Sequence, residues 1–322
     1  MKAVVYTTYG PPDVLQLQEA QKPTPKDGEV LIKVHAASIN ASDRFLLKGS
    51  PLFLRFTSGL RRPKSTILGA DIAGRVEAVG QNVREFRPGD EVFGDISGCG
   101  RGGFAEYVCA REDALVSKPS NIAFEAAAAV PMAAVTALQG LRSKGQIQPG
   151  QKILVYGASG GVGTFAVQLA KAFGAEVTAV CSTRNVDMAR SIGADHIIDY
   201  AREDFTKSGR RYDLILAANG HHTLKAYKRA LTPNGACIVT GGSMTQIFQA
   251  LLLGPLVSMA GSNTMGSLAS QPNTNDLAFI KGLLEAGKVI PMIDRCFPLS
   301  EAAEAFRYLE ATPARGKVVI TV

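Results

Sequence analysis

The sequence predicts an α/β chain of two parts, a small antiparallel β-barrel and a doubly wound parallel sheet covered by helices. Three observations carry this. The 322 residues exceed what one hydrophobic core ordinarily supports. Residues 1 to about 122 hold short β-branched runs separated by Gly and Pro turns, the pattern of a small all-β unit. From about Glu125 onward, strand-like runs alternate with helical ones, as in βαβ units.

In the first part the runs are Glu29–Val34, Ala73–Gly80, Asp90–Gly94 and Gly103–Val108, with a turn at Arg87-Pro88-Gly89-Asp90. The Ala-rich stretch Glu125–Leu141 reads as helix interrupted at Pro131, since proline removes a donor and crowds the preceding turn. Lys152–Tyr156 is a strand and Val162–Phe173 a helix stopped by Gly174. Glu176–Val180 is the next strand, and the helix Val186–Ile192 stops at Gly193. His196–Ile198, Asp213–Ala217 and Ala236–Val239 supply further strands. Helices at Asp276–Ala286 and Ser300–Glu310 and a strand at Lys317–Thr321 close the chain. The expected division is 1–123 with 268–322 against 124–267.

Apolar residues at 46% and charged residues at 20% fit a folded globular protein. No run reaches the roughly 18 apolar residues of a membrane span. The longest, Ile247–Ala260, is broken by Gly254 and Pro255 and reads as a subunit interface or a lid over an apolar substrate, with peripheral membrane contact a weaker option. The chain begins at once with strand-like residues, so no signal peptide is visible. Five scattered cysteines without a CxxC suit free thiols in a reducing compartment, by default the cytosol. The net charge of +7 is spread out, with small clusters such as Arg61, Arg62, Lys64 and Lys207, Arg210, Arg211. That is a solvated basic surface, and no stable nucleic-acid partner is expected.

The strongest local signal is Gly157-Ala158-Ser159-Gly160-Gly161-Val162-Gly163, set between a strand and a helix. Glycines there let the backbone approach a pyrophosphate, which the first N–H groups of the helix bind. The spacing is GxxGxxG rather than GxGxxG, so context carries the reading of a Rossmann dinucleotide site at Ser159, Gly160, Gly161 and Val162. An NAD site places an acid about 20 residues further on to hold the ribose hydroxyls. Here the second strand ends in Ser182, Thr183 and Arg184, two hydroxyls and a guanidinium suited to a 2′-phosphate. NADPH is the expected cofactor.

The order of motifs resembles the medium-chain dehydrogenase/reductase superfamily over almost the whole chain. The segments are Gly69–Gly80, Gly89–Gly94, Gly102–Tyr107, Val130–Ala137, Ala158–Gly163, Phe297–Ala303 and Gly316–Val319. The resemblance implies a GroES-like catalytic barrel beside a Rossmann sheet, and usually a homodimer. The zinc ligands of the alcohol dehydrogenases fall at Asn40 and Ala70 and near Met132 and Ala133, and only Cys99 and Cys109 lie where a four-cysteine structural site would be. Alanine offers no donor and an amide is a poor zinc ligand, so no metal is expected.

What remains is similar to the zinc-independent quinone oxidoreductase branch, which includes zeta-crystallin-like members. That resemblance implies reduction by NADPH of a small electrophilic acceptor, a quinone or an α,β-unsaturated carbonyl. It implies catalytic roles for Asn40 and Asp43 near the nicotinamide. It implies cofactor contacts at Thr136, Tyr200, Asn219, Gly241, Gly242, Ser243 and Lys317. Such acceptors stabilise the incoming charge themselves, which lessens the need for a Lewis acid. An enoyl-thioester reductase and a cofactor-binding protein without turnover are the alternatives.

Overall fold

The computed structural model describes residues 1–242, 249–252, 258, 262–312 and 315–322. The chain divides into two compact units, one of residues 1–132, 272–285 and 291–322, the other of residues 133–271 and 286–290.

In the first unit a two-stranded ribbon pairs β1 (Lys2–Val5) with β2 (Gln16–Glu19). The main sheet starts with β3 (Glu29–Ser38), followed by helices α1 (Ala41–Lys48) and α2 (Arg55–Ser58) and strands β4 (Asp71–Val79), β5 (Glu91–Asp95), β6 (Tyr107–Arg111) and β7 (Leu115–Ser117). Helix α3 (Phe124–Ala128) packs against β3 and β4, which is why this unit runs past the expected boundary at residue 123. The long strand β3 is the hub. One edge pairs with β4 along its length, and the other is shared by β6 and the last strand. Two register shifts in the β3–β4 ladder bend it, as bulges do. The core is mostly aliphatic, with Ile32, Leu47, Leu68, Ile72 and Ile96 at its centre beside the aromatic pair Phe104 and Phe306.

The second unit takes all but the first two residues of α4 (Pro131–Leu138) and continues through β8 (Lys152–Tyr156), α5 (Gly161–Ala172), β9 (Glu176–Cys181), α6 (Val186–Ser191), β10 (His196–Asp199), β11 (Tyr212–Ala217), α7 (Leu224–Arg229), β12 (Leu231–Val239) and β13 (Thr264–Ser267). Its six parallel strands lie in the order β10-β9-β8-β11-β12-β13. Counted from the first, that is 3-2-1-4-5-6, the doubly wound order, with its reversal between β8 and β11. The middle strands are buried on both faces, which accounts for their nearly continuous apolar sequences. The first unit is completed by α8 (Thr274–Glu285), β14 (Ile293–Pro298), α9 (Ala302–Ala311) and β15 (Lys317–Thr321); β14 is parallel to β15, and β15 is antiparallel to β3. Of the apolar stretch 247–260, Leu251 and Leu252 are exposed and Ala250 is buried; most of the remainder lies outside the described residues.

Two of the histidines pack against aromatic rings. His35 stacks on Phe124 with ring centroids 4.3 Å apart. His222 meets the edges of Phe205 and Tyr156 at 5.0 and 5.3 Å. Burial pulls the His222 pKa below its ordinary 6.5, opposed by Asp204. On acidification the unfolded chain therefore takes up its proton first, and stability held above the ordinary histidine range is lost as pH falls through it. His222→Leu should lose less stability than the wild type between about pH 7 and about pH 5, read from urea midpoints. His35 is shifted the same way, so some pH dependence should remain.

Candidate active site

In the second unit, the turn after β8 has the geometry of a phosphate cradle. Gly157 sits at φ +79°, and a Cβ there would lie 2.8 Å from Asn219 Cβ, so β8 and β11 come together at the switch point through a missing side chain. Gly163 is held as closely: a Cβ would stand 2.1 Å from the Gly157 carbonyl. Gly160 differs, because a Cβ would find its nearest neighbour at 3.6 Å. The open position faces the first turn of α5, where the N–H groups of Gly161 and Val162 have no intrahelical acceptor. Gly241 also requires its hydrogen, since a Cβ would come within 2.4 Å of the Ala218 carbonyl, and Gly242 bridges to Gly220. Ser159 belongs to the same turn and Thr136 is buried in α4. These residues fit a dinucleotide, with Ser159–Val162, Asn219, Gly241 and Gly242 grouped at the carboxyl ends of β8, β11 and β12. Ser243 lies outside the described residues.

The loop after β9 holds Ser182, Thr183 and Arg184, the latter two exposed. Ser182 Oγ accepts from Asn185 Nδ2 at 3.1 Å, which leaves its own hydrogen to donate. Thr183 Oγ1 donates to Asp199 Oδ2 at 2.5 Å. That bond holds the Asp199 carboxyl below the usual carboxylate range. An acid thus stands beside a pocket the sequence reads as acid-free. It comes from the end of β10, whose register sets Asp199 opposite Cys181. Arg202 Nε lies 3.5 Å from the same carboxylate and offsets its charge. Tyr200 follows, 56% exposed.

In the first unit the polar cluster is buried. Asn40 begins α1, and its backbone N–H donates to Asp43 Oδ2 at 2.9 Å, half of a capping box. The other Asp43 oxygen accepts from Gly69 N at 3.2 Å and Arg101 Nη1 at 3.1 Å. Asp43 is fully buried; burial pushes its pKa up, and Arg101 opposes this. The Asn40 side chain is held at both ends. Its Nδ2 donates to Asp71 Oδ2 at 2.9 Å, and its Oδ1 accepts from Lys317 Nζ. Asp71 also accepts from Ser38 Oγ at 3.2 Å and Met132 N at 3.0 Å, with Lys317 Nζ 3.5 Å away. Burial pushes the Asp71 carboxyl up to about 7 and pulls the Lys317 ammonium down, each opposed first by the other's charge.

Lys317, expected at the cofactor, is therefore 4% exposed within a cluster that also contains Asn40 and Asp71. Strand pairing brings them together, since Ser38 is opposite Asp71 in β4 and Val319 in β15. Ser38 and Arg101 belong to this cluster and carry no sequence signal of their own.

A dinucleotide-binding parallel sheet with a second, largely antiparallel unit defines the class of two-unit nicotinamide-dependent oxidoreductases. Residues 26–120 match the alcohol dehydrogenase GroES-like domain and residues 192–320 the zinc-binding dehydrogenase family. The chloroplast envelope quinone oxidoreductase homolog of Arabidopsis thaliana is 34% identical, covering 99% of this chain and 98% of that one. The chloroplastic NADPH-dependent alkenal/one oxidoreductase of the same plant is 35% identical over 99% of this chain and 79% of its own. The structure of the quinone oxidoreductase from Coxiella burnetii superposes with a TM-score of 0.89 at 31% identity, covering 100% of this chain and 99% of that one. The chain belongs to the medium-chain dehydrogenase/reductase superfamily and is an oxidoreductase.

Zinc, implied by the matched family's description, does not fit this donor set. Ala70 has no donor atom, the Asn40 amide is taken at both ends, and a lysine ammonium lies beside the Asp71 carboxylate.

Proposed function

We propose that this chain uses NADPH to reduce a quinone or an α,β-unsaturated carbonyl without a metal. The observation that carries the reading is the Asn40–Asp71–Lys317 cluster, in which a buried ammonium lies beside the carboxylate. A dication would have to displace that charge. The nicotinamide, when bound, supplies the hydride. The protein's part is to hold the cofactor, orient the acceptor and exclude water.

In this reading Asn40 is the catalytic residue. Its amide keeps one N–H beyond that given to Asp71, a donor suited to the acceptor oxygen as negative charge develops there. Lys317 and Asp71 are positioning residues that fix the amide plane from opposite ends. Asp43 is a positioning residue too, for its oxygens are engaged by Asn40 N, Gly69 N and Arg101. Ser182 and Arg184 would hold the 2′-phosphate, with Thr183 turned toward Asp199. Arg184→Ala is expected to weaken NADPH about tenfold or more and leave NADH nearly unchanged, read by titration of cofactor fluorescence. The relatives named for quinone and alkenal/one chemistry support the acceptor class. Five free cysteines are consistent with a reducing compartment such as the cytosol.

The test is steady-state loss of NADPH with a quinone, an enone and an enoyl thioester, before and after exhaustive chelation. Turnover of the first two that survives chelation is expected. Activity confined to the thioester, or lost with chelation and restored by zinc, would overturn the reading.

A further inference from the structure

Leu52, Phe53, Phe56 and Leu60 are 71%, 45%, 73% and 64% exposed. Among the described residues eleven large apolar or aromatic side chains are exposed, and four of them fall in this short segment. That is a patch, not scatter, and patches of this kind mark contact surfaces.

The segment is pinned from beneath. The Tyr9 hydroxyl donates to the Gly59 carbonyl at 2.6 Å, and the Arg55 guanidinium lies 4.5 Å from the Tyr9 ring centroid. Arg55 Nε donates to the Gly49 carbonyl at 2.9 Å, and Lys64 N to the Ser58 carbonyl at 2.8 Å. With those groups holding the backbone, Leu52, Phe56 and Leu60 remain in solvent.

The charges that this stretch of chain carries are of one sign. Between Asp43 and Asp71 the sequence has no acid and six basic residues, Arg44, Lys48, Arg55, Arg61, Arg62 and Lys64. Lys48 pairs with Glu310 and Arg55 rests on Tyr9. Arg61, Arg62 and Lys64 are exposed and form no ion pair with a described residue.

We propose that residues 52–64 dock on an anionic lipid bilayer surface. The leucines and phenylalanines enter the boundary between headgroups and acyl chains, and the three cations meet lipid phosphates. The charge decides the occupant. A second copy meeting this face through a two-fold axis would bring three unpaired cations against three more, whereas an anionic bilayer neutralises them. The inference does not depend on the reductase reading.

The test is co-sedimentation of the full chain with phosphatidylcholine vesicles, with and without phosphatidylserine. Binding is expected only with phosphatidylserine present, and should fall as KCl is raised. Phe56→Ser with Leu60→Ser should reduce the bound fraction severalfold. Arg61→Glu with Arg62→Glu and Lys64→Glu should lower partitioning about fivefold or more for each charge removed. Both variants should bind NADPH and melt like the wild type. No binding to either vesicle, or equal binding to both, would overturn the proposal. So would variants that sediment with vesicles as the wild type does but change the oligomeric mass, because a second copy would then cover the patch.

Discussion

Gly160→Asp is expected to leave the fold at least as stable as the wild type while weakening the nicotinamide cofactor about 10²-fold. Gly160 is the N-cap of α5 with φ −82° and ψ 174°, extended backbone that any residue adopts. A Cβ there meets nothing closer than 3.6 Å, and aspartate is among the favoured N-cap residues. Its carboxylate would occupy the approach to the same N–H groups that a pyrophosphate needs. Gly163→Ala gives the contrast: its Cβ would press on the Gly157 carbonyl at 2.1 Å, so it should lose stability as well as affinity. Thermal melts with and without NADPH, together with direct titration, separate the two. Unchanged affinity in Gly160→Asp would place the cofactor elsewhere.

Lys317→Met should cost about 3–5 kcal/mol of stability, because it breaks a buried pair and leaves Asp71, already pushed up to about 7, either charged without its partner or forced to take up a proton. It should also lower kcat about 10²-fold, since the Asn40 amide loses the donor on its Oδ1. The double variant Lys317→Met with Asp71→Asn separates these effects. Removing both charges should recover most of the stability, whereas kcat should stay low and KM for the cofactor should stay near wild type. Full recovery of kcat in the double variant would reduce the cluster to a folding element.

Much of this protein is legible in its sequence, and what is hidden has a common cause. Strands such as Lys152–Tyr156 and Lys317–Thr321 stand where the apolar runs place them, and the turn at Gly157–Gly163 declares itself because glycine is needed wherever a Cβ would collide. Thr183 and Asp199 meet because parallel pairing aligns the ends of β9 and β10, and the spacing of 16 residues does not announce it. The alternation of strands and helices held that signal, since neighbouring parallel strands deliver their carboxyl ends to one edge. Lys317 reaches Asn40 across 277 positions, through the pairing of β15 with β3. Nothing local marks Lys317 as buried, because lysine is among the residues least often enclosed without a partner. Its partner, Asp71, became apparent only once the register of β3 on β4 was fixed.

The most direct measurement is isotope transfer from NADPH deuterated at the nicotinamide C4, on each face separately, to an enone, using chelator-stripped enzyme and mass analysis of the product. Deuterium in the saturated product from one face only, at a rate unchanged by stripping, is what an ammonium-anchored site without metal requires. Product lacking deuterium from either face, or formed only after zinc is returned, would contradict it.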